Sequence, residues 1–263
     1  MGRYIRLLGK LFKYSIIIEM QYRANFLIML PVHLAWTLQE VFTILIIYLY
    51  TDKVWSWSKY EIILLLGTYF VVDSLLTSVI FPNINALSEK IRTGQLDFFI
   101  LKPIDSQFLI LTYKINLSLV YAFAVGIALI CVSLINLDTV VITPLNFIMY
   151  LLLTINGFLI FAFLLYIIAS LTFWTVQIDY IRDIFVTFAQ LARKPFEIYP
   201  KPLRQIVIYL IPLGFIAYVP TGFLLGKLSF LWCSISFIFT PILFLLSRKM
   251  WFFSLKAYES VSS

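Results

Sequence analysis

Recurring runs of about twenty apolar residues constrain this chain more than any other feature. They occupy residues 25–50, 60–81, 108–135, 145–171 and 230–247. Each is long enough to cross a hydrocarbon core about 30 Å thick as a helix, and a helix satisfies its own backbone hydrogen bonds there. The chain lacks the period-2 alternation of a transmembrane barrel. With 62% hydrophobic and 13% charged residues over 263 positions, it lies far from soluble composition. The sequence therefore predicts an all-α integral membrane protein built as one transmembrane domain, 1–263.

Charge orients these spans. The net charge of +7 does not point to nucleic acid, because its Lys and Arg cluster at segment ends, where positive residues hold loops in the cytoplasm. Arg3, Arg6, Lys10 and Lys13 recur at spacings of three and four, with Tyr4, Leu8 and Leu11 and with Ile5, Phe12 and Ile16 on the remaining arc. That pattern fits a helix over 1–24 lying in the interface, its basic face toward anionic lipid headgroups. It fits equally a basic start that only orients the first span; both place the amino terminus inside. No small-residue cleavage site follows, so the mature chain is expected to begin near Met1. The basic pair Arg248-Lys249 reads as a cytoplasmic stop to the last span, so both termini are expected in the cytoplasm. Trp55, Trp57 and Tyr60 read as an aromatic belt at the outer surface, and 136–143 as an outer turn.

The longest polar interruption runs from Glu89 to Pro103. The second span should end at Pro82; a short helix then stops at Gly94, and Asp105 or Ser106 caps the third span. Residues 172–227 admit two readings. Hydropathy and the positive-inside rule favour 203–225 as the fifth span, leaving Arg193, Lys194, Lys201 and Arg204 in the cytoplasm. Pro212, Gly214, Pro220 and Gly222 instead suit two short re-entrant helices, with 179–199 crossing despite Asp179, Arg182 and Asp183.

Chemistry is sparse. There is no GxxxxGK[ST] loop, no HExxH, no GxSxG and no paired carboxylate cluster, so no catalytic residue, metal site or cofactor is expected in this chain. Cys131 and Cys233 sit apart in apolar runs and say nothing about redox compartment. Ionisable groups inside spans are costly unless paired or wetted. Glu40 lies mid-way along the first span, and Asp73 and Lys114 should fall at similar depth, as an ion pair or as a polar patch on a pathway. His33, Gln39 and Asn156 read as interhelical hydrogen-bonders. Arg193 and Lys194 either attract an anionic, lipid-like substrate or snorkel to headgroups.

Two ordered groups of short motifs carry a family likeness. The first is Lys90-Ile91-Arg92-Thr93-Gly94-Gln95-Leu96-Asp97, then Leu101-Lys102-Pro103 and Phe108. The second is Phe173-Trp174, Tyr199-Pro200, Leu203-Arg204, Ile211-Pro212, Pro220 and Leu224-Leu225-Gly226. With the amphipathic start and the span pattern, the whole chain resembles the type 2 export permeases of ATP-binding-cassette transporters. The resemblance implies six transmembrane helices, an N-terminal interfacial helix, and a cytoplasmic coupling loop over 83–107 with a coupling helix at 83–93. It implies an outer re-entrant pair within 200–228, which makes 179–199 the fifth span. It implies docking on cytoplasmic ATPase subunits, which hold the ATP and magnesium, through Glu89, Lys90, Arg92, Gly94, Gln95 and Asp97. A second copy or related permease chain completes the path, membrane lipids surround it, and the setting is the cell membrane. Two competing readings are a membrane component of a vitamin-uptake system, for which Ala192-Arg193-Lys194 is one poor motif match, and a membrane-embedded transferase.

Overall fold

In the computed structural model, which describes residues 2–21, 23–117, 120–137, 142–175, 179–210 and 212–258, the chain is almost wholly helical. Helix α1 (Gly2–Gln21) keeps Leu11 and Ser15 buried while Ile5, Phe12, Ile17 and Met20 stay exposed, leaving a broad apolar face for lipid. Helix α2 (Arg23–Tyr50) exposes Leu27, Trp36, Phe42 and Leu49, as befits a helix surrounded by hydrocarbon rather than protein. A short hairpin, β1 (Lys53–Val54) and β2 (Trp57–Ser58), turns through Trp55 at φ 57°. Helix α3 (Lys59–Leu75) then begins where the Ser58 amide donates to Glu61 Oε2 at 2.6 Å.

Pro82 does not end the helix of the second span. A single π turn (Leu76–Ile80) joins α3 to α4 (Phe81–Arg92), and the 34 residues Lys59–Arg92 form one continuous helical rod. A proline removes the hydrogen bond to the carbonyl four residues back and crowds it, which normally breaks a helix. Here that carbonyl, Ser78 O, accepts the Asn116 amide at 2.7 Å instead, and the wide π turn gives the ring room.

The third span is interrupted where the apolar run alone predicted continuity. Helix α6 (Ser106–Thr112), capped by Asp105 accepting from the Phe108 amide, follows the short α5 (Asp97–Ile100); helical structure resumes only toward α7 (Val120–Ile135). Backbone groups freed by this break find partners on other helices. Asn83 donates to Lys114 O at 2.7 Å and accepts from the Lys114 amide at 2.9 Å. The Ile115 amide donates to Ser15 Oγ at 3.1 Å, and the Leu117 amide to Glu19 Oε1 at 3.2 Å. An opening of the backbone within an apolar run is tolerated because protein, not lipid, covers it.

Helix α8 (Pro144–Ser170) starts at Thr143, whose hydroxyl accepts from the Asn146 amide. Helix α9 (Asp179–Ala189) passes into 3₁₀ turns at Gln190–Arg193 and Phe196–Ile198, so 179–199 holds no continuous helix of spanning length. Nor does 203–225: α10 (Lys201–Gln205) and the π turn Ile206–Leu210 precede the break at Pro212, and α11 (Tyr218–Leu224) follows it. Helix α12 (Phe230–Lys256) runs through Arg248 and Lys249 rather than stopping at them.

Helix α3 is central and buried nearly all round, with Leu64, Leu65 and Val72 fully enclosed. It meets α7 at Gly67 and Gly126, where a Cβ on either glycine would fall 2.9 Å from the other's carbonyl oxygen. Helices α8 and α12 are tied by Asn156, which donates to Ser236 Oγ and accepts from Thr240 Oγ1, both at 2.6 Å. Among the described residues four helices, Leu30–Tyr50, Lys59–Arg92, Pro144–Phe173 and Phe230–Lys256, are long and apolar enough to cross a membrane, and α7 is a shorter apolar one. The architecture is that of an all-α, multi-pass membrane protein.

Candidate docking face and intramembrane polar cluster

The rod Lys59–Arg92 measures about 50 Å at 1.5 Å per residue, so about 20 Å of it exceeds the hydrocarbon. Its end is shaped by Gly94, whose φ of 71° is a left-handed conformation that disfavours a side chain. The Thr93 amide returns to Glu89 O at 2.9 Å and the Leu96 amide to Lys90 O at 3.1 Å, satisfying carbonyls that the helix end would leave open. Leu96 and Phe99 are buried beneath this turn.

The six residues that the sequence assigned to docking do not share one surface. Glu89, Arg92 and Gln95 are exposed, and Gly94 is half-buried. Lys90 turns inward instead, its ammonium 4.6 Å from the Phe99 ring centroid and 5.4 Å from that of Tyr113. Burial, and then the charge of Lys114, hold the Lys90 ammonium below the usual lysine range. Asp97 is half-buried beside the Tyr258 hydroxyl, which burial and then Asp97 push upward. Four apolar residues absent from the predicted set lie exposed in this region: Phe98, Ile100, Leu101 and Trp174. The sequence signal for Phe98 was its place beside buried Phe99, since adjacent helical positions point to different sides. Between α4 and residues 172–175 opens a cleft of about 660 Å³, lined in part by Ser88, Glu89, Arg92 and Trp174.

A clamp stands behind this face. Arg248 donates to both oxygens of Asp105 at 2.8 and 2.5 Å, and to Gln107 Oε1 at 2.9 Å. Trp251, fully buried, donates to Ser106 Oγ at 3.1 Å and meets Phe173 edge-on at 5.6 Å between ring centroids. Arg248 therefore ties α12 to the start of α6, and the helix continues past it to Lys256.

Within the bundle, Asp73 and Lys114 form no ion pair. Lys114 is exposed, with its backbone amide and carbonyl bonded to Asn83, whereas the Asp73 carboxylate accepts from the Tyr69 hydroxyl at 3.2 Å. The partner found for an intramembrane acid is a different one: Arg193 donates to Glu40 Oε1 at 2.7 Å and lays its guanidinium 5.1 Å from the Tyr69 ring centroid. Lys194 beside it is exposed. The side chains of His33, Asp179 and Arg182 lie outside the described residues.

At the hairpin end, Trp57 is fully buried and is not part of an aromatic belt. Its indole donates to Glu197 Oε2 at 3.3 Å, and the Tyr218 hydroxyl donates to Glu197 Oε1 at 2.7 Å. Lys227 bonds Glu61 at 2.8 Å and Ser56 O at 2.5 Å while lying over the Trp57 ring. Glu61 and Glu197, which sequence reasoning missed, thereby tie the hairpin to the broken segment before α12.

Long apolar helices with charged, structured ends define a multi-pass membrane protein. The chain matches the family model described as ABC-2 family transporter protein over residues 34–262 and belongs to that family. Such permeases are transport membrane subunits that work with a cytoplasmic ATPase, in agreement with the likeness read from the motifs. No curated protein and no solved structure matches the chain.

Proposed function

We propose that this chain is the permease subunit of an ATP-binding-cassette exporter, moving an amphipathic drug-like, lipid or peptide substrate while separate ATPase subunits hydrolyse ATP with magnesium. The observation that carries this reading is the helical rod Lys59–Arg92, which overreaches the hydrocarbon and presents Glu89, Arg92 and Gln95 beside a cleft edged by Trp174. An ATPase seated there meets charged groups for charge-assisted hydrogen bonds and, in Phe98 and Leu101, exposed apolar area to cover. The 83–107 segment is then the coupling loop, and α4 moves as a lever because it is continuous with α3 in the core. Nucleotide binding shifts the populations of alternative packings, and this chain performs no chemistry of its own.

In this reading both termini face the cytoplasm of a cell-membrane protein, and α1 lies in the inner interface. The hairpin faces outside, the broken backbone of 200–228 forms a re-entrant pair beside it, and 179–199, a short helix continued by 3₁₀ turns, completes six spans. A second copy or a related permease encloses the path. The test is co-purification with the product of a neighbouring ATPase gene, followed by transport-linked ATP hydrolysis with Arg92→Glu and Gly94→Val. Weakened assembly or uncoupled hydrolysis is the expected result; full assembly and full coupling in both variants would overturn the assignment.

A further inference from the structure

A cavity of about 310 Å³ opens between α2, the hairpin, α3 and the turn after Arg193. Ile44, Ile47, Ile62 and Leu66 give it apolar walls, and Glu40, Arg193 and Lys194 form its polar end. Glu40 is occupied by Arg193 at 2.7 Å. Asp73, the next acid, lines no part of the cavity and is held behind it by the Tyr69 hydroxyl at 3.2 Å, where its charge also acts on Arg193. What remains on the wall is positive: the exposed ammonium of Lys194, which forms no ion pair among the described residues, beside an Arg193 whose charge Glu40 and Asp73 already compensate. Glu40 lies about 15 Å along α2 from Tyr50, ten residues at 1.5 Å each, which is about half the hydrocarbon thickness. A resting lipid keeps its headgroup at the interface, and an uncompensated cation at this depth is costly. An anion drawn in from a leaflet removes that cost, and its chain has the isoleucine and leucine wall to follow.

We propose that this cavity binds a monoanionic amphiphile, its phosphate, carboxylate or sulfonate group on Lys194 and its hydrocarbon chain along Ile44, Ile47, Ile62 and Leu66. The assignment rests on the permease reading for its meaning, as the substrate class of the exporter, but binding itself needs neither ATP nor the ATPase. Failure of one reading is therefore distinguishable from failure of the other.

The experiment uses the full chain in phosphatidylcholine nanodiscs and measures retained lipid by native mass spectrometry. Phosphatidylglycerol is the probe; phosphatidylcholine, diacylglycerol, a long-chain alkylammonium and inorganic phosphate are the comparison arms. Phosphatidylglycerol is expected to be retained at least fivefold over phosphatidylcholine, and Lys194→Gln to remove about fivefold of that preference. Ile47 is 45% exposed, so Ile47→Trp fills the slot from its open side and is expected to abolish retention without lowering the unfolding midpoint. Equal retention of phosphatidylcholine or diacylglycerol, tighter binding of the alkylammonium, or unchanged binding in both variants would overturn the proposal. So would displacement by inorganic phosphate at equal concentration, since the site would then take an anion without a chain.

Discussion

Arg248 and Asp105 meet fork to fork, Nη1 to Oδ1 at 2.8 Å and Nη2 to Oδ2 at 2.5 Å, across 143 residues of sequence. Burial alone would raise the Asp105 carboxyl, but hydrogen bonds from Arg248 and the Phe108 amide outweigh it and hold the group below its usual value. A carboxyl lowered by folding contributes stability above its unfolded value, near pH 3.9, and loses it as the pH falls through the folded value. Asp105→Asn should cost about 1–2 kcal/mol at neutral pH, from the lost charge-assisted pair. The gap between wild type and variant should stay constant above about pH 5 and narrow below about pH 4. Denaturant unfolding in detergent at several pH values measures both; a gap that widens on acidification contradicts the assignment.

Helix α1 is pinned to the interrupted third span by Ser15 and Glu19, one helical turn apart, which accept the Ile115 and Leu117 amides. Replacing either by Ala leaves a backbone donor without its acceptor and should cost about 1–3 kcal/mol. Glu19→Gln retains a carbonyl oxygen and should cost less. Amide exchange at residues 115 and 117 should accelerate in the Ala variants and stay near wild type in Glu19→Gln.

Lys90 and Arg92 are two positions apart yet face different surroundings. Lys90→Ala removes an ammonium held over Phe99 and Tyr113 and should lower stability by about 0.5–2 kcal/mol. Arg92→Glu, on an exposed side chain, should change stability by less than about 0.5 kcal/mol while weakening ATPase association in the proposed assembly. Unfolding midpoints beside co-purification yields separate the two effects; the reverse pattern would place docking on the inward face of α4.

Gly67 and Gly126 let α3 and α7 approach until each backbone blocks the other's missing Cβ. Gly126→Leu should force the helices apart and cost about 1–3 kcal/mol or more. A disulfide-crosslinking scan along α3 and α7 should lose its pairs near residues 67 and 126 in that variant, whereas an unchanged crosslink pattern would show that the contact is not tight.

The family and the membrane class were legible in sequence because both rest on local signals. Apolar length needs no knowledge of neighbours, and the helix end at Gly94 and the interruption at Pro212 follow from backbone freedom and a missing amide hydrogen. Pair assignments were less legible. Depth arithmetic matched Asp73 with Lys114, but depth omits the direction in which a side chain leaves its helix, and the bundle turns Asp73 toward Tyr69 and Lys114 away. Trp57 looked like an interfacial anchor until Glu197, Tyr218 and Lys227 closed around it from the far end of the chain.

By itself the sequence determined that the chain is a helical membrane protein, which family it belongs to and where its longest apolar stretches lie, since these depend on hydropathy and local backbone chemistry. Only the tertiary structure decided that the helix of the second span runs unbroken through Pro82 and that the third opens after Thr112. Both outcomes depend on distant partners: Ser78 O receives the Asn116 amide, and Asn83, Ser15 and Glu19 take up the backbone of the break. In a medium without water, a helix persists or opens according to whether another part of the protein can satisfy its backbone.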